Sequence, residues 1–210
     1  MYAPDPDYRA KLAAVARAQQ EAKASSGRVV LLYLDELTYY RRPSVARCHQ
    51  PRGGPGAYAE QGHGRKRRVI GALEANAGPW HHGQGDRAGV RELMRFYRGL
   101  AAAYPEAEKI YVAQDNWPVH FLPPVLASPE GTPVRWLRLP TYAPWTNPVA
   151  KVWRQLKPEL LHQHDYQDDG AGLQGAVEDW LEQAAQDPDG LRRYTGLRRR
   201  RRKKRCLKPK

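Results

Sequence analysis

The run Arg28-Val29-Val30-Leu31-Leu32-Tyr33-Leu34-Asp35 constrains the fold more than any other segment. Side chains alternate faces along a strand, so six consecutive apolar residues place greasy groups on both faces of a sheet. Only a strand covered by a layer on each side hides them, which predicts a central strand in an α/β protein. The run stops at an acid, and the strand is expected to end there. At 210 residues the chain holds one domain with a sizeable core and is too short for two of ordinary size.

Around that strand the pattern alternates between the two periods. Residues 6–24 carry Leu12, Val15 and Ala16 at helical spacing, predicting an amphipathic helix closed by Ser25-Ser26-Gly27. Val45 to Gln50 reads as a second strand and Arg67 to Ala75 as a third, with the glycine-rich stretch Arg52 to Gly56 as a hairpin loop between them. From Asp86, an expected cap, Val90, Leu93, Met94, Tyr97, Leu100 and Tyr104 line one helical face. Ile110 to Asp115 is a short apolar strand ending in a second acid, Pro118 to Leu126 a helical crossover, and Val134 to Leu139 a fifth strand. Asn147-Pro148 starts a helix with a mechanism, because asparagine caps free amides and proline fits the first helical position. Val149, Val152, Trp153, Leu156 and Leu160 give that helix its inward face, and a last helix is expected from Gly172 to Gln186, ended by Asp187-Pro188-Asp189-Gly190. The expected fold is therefore a mixed five-stranded sheet with helices on both faces, in the element order of ribonuclease H-like domains.

Charge divides the chain. Of its 35 Lys and Arg, twelve fall in residues 191–210, where there is no Asp or Glu; the remainder carries 23 positive against 22 negative charges. The body is nearly neutral and Arg198 to Arg205 is an unbroken basic run, whose self-repulsion predicts a disordered tail. Two readings stay open for it: salt-sensitive, sequence-independent binding to phosphates, or a solvated terminus. Residues 1–27 read as a lead-in, 28–196 as the folded domain and 197–210 as the tail. No eighteen-residue apolar stretch or secretory leader pattern is present, which predicts no membrane partner and a cytoplasmic location. Cys48 and Cys206, far apart, make neither a disulfide framework nor a cysteine-based zinc site.

In open α/β sheets ligands gather at the carboxyl ends of strands and at nearby helix starts. Asp35, Asp115 and position 150 fall at such places. Leu32-Tyr33-Leu34-Asp35-Glu36, Gln114-Asp115-Asn116-Trp117-Pro118-Val119-His120 and Tyr142-Ala143-Pro144-Trp145-Thr146-Asn147-Pro148-Val149-Ala150-Lys151-Val152-Trp153 resemble the three acidic motifs of mariner-type DDE transposases of bacterial insertion sequences. The 34 residues between Asp115 and Ala150 are similar to that family's spacing.

The resemblance implies a ribonuclease H-like catalytic domain that cuts a DNA strand and joins its freed 3′-hydroxyl to target DNA. It implies two Mg²⁺ or Mn²⁺ ions with Asp35 and Asp115 as ligands, Asn116 and His120 ordering the site or meeting substrate phosphate, and, from the pairing of two element ends, a homodimer. Ala150 stands where the family has Glu or Asp, and a methyl group binds no cation. Glu36 should point to the opposite face from Asp35, and Glu159 lies about 13.5 Å along the helix from position 150, too far to substitute. Two functions lead: a transposase catalytic domain impaired at its third acid, or a DNA-binding remnant that no longer cuts; a ribonuclease acting on RNA–DNA hybrids shares the fold and metals and fits the motif details least. Arg65, Lys66, Arg67 and Arg68, together with Arg198, Arg199 and Arg200, are the candidate phosphate-binding residues, and Trp117 and Trp145 could stack on bases or bury beside the sheet. The pairs His81-His82, placed in a glycine-rich turn, and His162/His164, near a helix end, lack a metal-ligand pattern.

Overall fold

The computed structural model describes residues 5–43, 64–128, 130–162 and 164–198. The expected strand at 45–50, the glycine-rich stretch, both cysteines, Arg199, Arg200 and the rest of the tail lie outside these residues.

Five strands, β1 (Val29–Tyr40), β2 (Lys66–Glu74), β3 (Trp80–Gly85), β4 (Lys109–Gln114) and β5 (Val134–Arg138), form one sheet in the order β3-β2-β1-β4-β5. The β1–β2 and β2–β3 pairs are antiparallel, whereas β1–β4 and β4–β5 are parallel. The mixed sheet has β1 at its centre, as its two-sided apolar run requires. Leu31, Tyr33, Leu37 and Tyr39 pack on one face with α1 (Tyr8–Ala24), α4 (Val149–Leu156), α5 (Gly170–Gln186) and α6 (Pro188–Thr195). Val30, Leu32 and Leu34 pack on the other with α2 (Val90–Ala103) and α3 (Pro123–Ala127).

Several expectations shift. Strand β1 does not stop at Asp35 but runs five residues further, because β2 continues to pair with it as far as Tyr40 opposite Lys66. What ends near Asp35 is the parallel neighbour, whose last register pair is Tyr33 with Ala113. His81 and His82 sit on β3 rather than in a turn. That strand has neither β-branched residues nor simple alternation, and its pairing with β2 holds it. Asp86 does not cap α2; Glu92 accepts the Gly89 N–H at 2.9 Å, and Asp86 instead meets Arg65 and Arg67. The inward stripe of α1 is Val15, Ala18 and Ala22, with Ala16 exposed.

The segment at Asp187 both ends α5 and starts α6. Asp187 Oδ1 accepts the Gly190 N–H at 2.7 Å and Pro188 occupies the first turn, so a stop signal doubles as a start signal. The fold then continues past the expected boundary at 196: Leu197 packs on the core and Arg198 donates to Asp189 at 2.7 Å. Among the described residues no helix is long and apolar enough to cross a membrane.

Candidate active site

Asp35, Asp115, Asn116, Asn147 and Ala150 line one cleft of about 330 Å³, with the loop Leu139 to Pro144 as its opposite wall. The offset between strands creates it. Beyond Tyr33 the edge of β1 that faced β4 is unpaired by sheet hydrogen bonds, and side chains take over. Asn147 donates from Nδ2 to the Leu34 carbonyl at 2.8 Å, while its Oδ1 accepts the Val149 N–H at 3.1 Å. One buried side chain thus ties the start of α4 to β1 and caps it, satisfying two backbone groups that would otherwise be stranded. The helix is assigned from Val149, one residue after the expected start. This tie brings Ala150 to the same cleft as Asp35.

The loop wall is held from two sides, by Asn116 and by Asp5. Asn116 Nδ2 donates to the Leu139 carbonyl at 2.7 Å and lies 3.0 Å from Thr141 Oγ1, and Asp5 Oδ2 accepts the Thr141 N–H at 2.7 Å. Lys11 also donates to Asp5 Oδ2 at 2.7 Å. These bonds hold the Asp5 carboxyl far below the usual carboxylate range. Tyr142 stays exposed on this wall with a left-handed φ of 56°, and Trp145, just past it in the chain, is exposed as well. Trp117 also lines the cleft and packs on the α2-side core, with the Arg68 guanidinium 5.3 Å above its ring and His120 edge-on at 5.5 Å.

Electrostatically the cleft is an acid trap. Burial, reinforced by the negative charges of Glu36 and Asp115, raises the Asp35 carboxyl from 3.8 to about 8. Asp115 is half-exposed, and its Oδ1 accepts the Trp117 N–H at 2.9 Å, which fixes its direction. The oxygen donors of Asp35 and Asp115 suit a hard divalent cation. Ala150 contributes none. The donor set therefore fits one such ion better than two.

His120 does not line this cleft. It is buried on the α2 side of the sheet, with Nδ1 2.9 Å from the Tyr97 hydroxyl, which itself donates to Gln114 Oε1 at 2.8 Å. Its Nε2 faces Glu36 Oε1 at 3.3 Å and Asp115 Oδ1 at 3.6 Å. Glu36 does lie opposite Asp35, as alternation requires, yet it reaches Asp115 because that residue follows the last residue of β4. The spacing of Glu36, Asp115 and His120 along the chain carries no periodic signal for this grouping. His164 Nδ1 accepts the Tyr166 N–H, a local role.

The basic residues are not one patch. Arg67 and Lys66 stand opposite Tyr39 and Tyr40 in the β1–β2 register, so they point to different faces. Arg65 and Arg67 are within 2.9 and 3.5 Å of Asp86, Arg68 covers Trp117, and Arg198 pairs with Asp189.

Residues 30–171 match the model of the DDE superfamily endonuclease family. The chain belongs to that superfamily. It is similar to the insertion element IS630 uncharacterized 39 kDa protein of Shigella sonnei, 26% identical over 161 residues that cover 76% of this chain and 46% of that protein. The chain thus spans less than half the length of this curated relative. Among solved structures, a pre-cleavage Mos1 transpososome matches 93% of this DDE chain with a TM-score of 0.66 at 15% identity, over 60% of the Mos1 chain. The catalytic domain of Mos1 mariner transposase matches 91% with a TM-score of 0.61 at 15% identity, over 86% of that chain. These likenesses establish the ribonuclease H-like fold, and the DDE superfamily expected from the three motifs is the one whose model matches.

Proposed function

We propose that the chain is the catalytic domain of a mariner- and IS630-type transposase, carrying out metal-dependent DNA strand cleavage and transfer with activity limited by Ala150. The observation that carries this reading is the convergence of Asp35, Asp115 and Ala150 on one cleft in a DDE superfamily fold. Asp35 and Asp115 would hold Mg²⁺ or Mn²⁺; Mos1 paired-end complexes have been crystallised with each metal. A bound divalent ion lowers the pKa of its water and neutralises charge on phosphate oxygens. The chain's own contribution is placement: burial and neighbouring acids favour the protonated form of Asp35, a bias a bound cation would oppose, Trp117 N–H orients Asp115, and Asn116 and Asn147 set the walls. The exposed Tyr142 and Trp145 offer faces for unpaired bases beside the cut. Partners would be element-end and target DNA, with a homodimer pairing two ends in the cytoplasm.

Ala150 also supports a second reading, a DNA-binding remnant that does not cut, since a methyl group occupies the third acid's place in the cleft. A nicking assay on terminal-sequence DNA with Mg²⁺ or Mn²⁺ separates the two, comparing the unaltered chain, Ala150→Glu, and Ala150→Glu with Asp35→Ala. Impaired cleavage predicts weak nicking that rises in Ala150→Glu and vanishes in the double variant. Nicking absent from the unaltered chain and restored by Ala150→Glu selects the remnant. A folded, DNA-bound Ala150→Glu protein with no activity would overturn the missing-ligand account.

A further inference from the structure

The face of the sheet away from Ala150 holds a second constellation. Because β1 stays extended through Tyr40, Glu36 points to the α2 side, where one ligand atom each from Glu36, Asp115 and His120 lie within 4.8 Å of one another. The His120 side chain is fully buried and that of Glu36 is 8% exposed. His120 Nε2 and Glu36 Oε1 face one another at 3.3 Å, yet neither makes a hydrogen bond, although buried polar atoms almost always do.

The other ring nitrogen explains what Nε2 offers. The Tyr97 hydroxyl has a single proton, and it goes to Gln114 Oε1. Nδ1 therefore supplies the hydrogen in its 2.9 Å approach to that hydroxyl, which leaves Nε2 as the nitrogen that faces the two carboxylates. An imidazole whose outer N–H is anchored by a second residue, with its free nitrogen among acidic oxygens, is the arrangement that metal-bound histidines adopt.

We propose that Glu36, Asp115 and His120 form a divalent-cation site on the α2 side of the sheet, sharing Asp115 with the cleft and taking Mn²⁺ in preference to Mg²⁺. One nitrogen and two carboxylate donors suit a first-row transition ion, whereas Mg²⁺ prefers oxygen alone and gives up its waters reluctantly. Three protein ligands leave positions for water, and the half-exposed Asp115 provides the way in. The site stands whether or not the chain cuts DNA.

Pulsed electron paramagnetic resonance of Mn²⁺ added to the full chain, with calorimetric titration of Mn²⁺ and Mg²⁺, tests it. The expected spectrum shows one directly coordinated imidazole nitrogen, absent in His120→Asn and retained in Asp35→Asn, and Mn²⁺ binds more tightly than Mg²⁺. Glu36→Gln, which keeps the side chain's shape, should weaken Mn²⁺ by about tenfold or more. It decides the matter should His120→Asn fail to fold. A folded chain with no nitrogen-coupled Mn²⁺, a nitrogen signal that survives His120→Asn, or unchanged Mn²⁺ affinity in Glu36→Gln would overturn the proposal. None of these readouts depends on nicking, so the failure of the catalytic reading would leave them intact.

Discussion

Asp35 is set apart from an ordinary acid by its surroundings. In the unfolded chain it ionises near 3.8, but in the fold it does so near 8, because burial and two neighbouring carboxylates penalise its charge. Between those values the folded protein holds a proton that the unfolded chain has released, so the stability of the metal-free protein should fall as pH rises through that window and level off above it. Thermal melts in chelator from pH 4 to 9 should show the decline, and Asp35→Asn should flatten it. A slope unchanged in the variant would assign the effect to another group. At this scale Asp35 and Asp115 were legible because each closes an apolar run, and Ala150 because capping fixes its place in a helix. The link between Glu36 and His120 was not, since it depends on how far one strand outruns its neighbour.

At the scale of elements, Gly71 carries a constraint that composition hides. It lies opposite Asp35 in the β1–β2 register, and a Cβ there would come within 2.2 Å of Trp80 and 2.8 Å of Trp153. Gly71→Ala should therefore displace an indole and cost about 1–3 kcal/mol, measurable by urea denaturation. An unchanged midpoint would show that the rings relax freely. The periodic elements β1, α2 and α4 were readable because their apolar spacing reflects the faces they bury. Strand β3 was not: Trp80-His81-His82-Gly83-Gln84-Gly85 has no strand composition, and its state is imposed by pairing with β2. Helix α6 was hidden because Pro188 and Gly190 break one helix while Asp187 caps the next.

Across the whole molecule, charge and fold are separated along the chain. The nearly neutral body spends several of its basic side chains internally, with Arg65 and Arg67 beside Asp86, and Arg192 buried against backbone carbonyls and Asp189. Removal of residues 199–210 should then weaken DNA binding and flatten its dependence on salt, by about 0.9 in log–log slope for each phosphate that the tail neutralises. An unchanged slope would place the phosphate-binding groups on the body. The architecture as a whole was legible because a two-sided strand admits few layered arrangements, whereas the cleft's loop wall depends on long-range bonds such as Asp5 to Thr141 that local spacing does not encode.

The tie from Asn147 to β1 and to the first turn of α4 has a genetic consequence. It holds the backbone at position 150 in place without help from the side chain there. Every alanine codon is one base away from a codon for aspartate or glutamate, so a single mutation would deliver a carboxylate into a frame that is already built. A lineage carrying this chain therefore stands one replication error from a carboxylate at position 150.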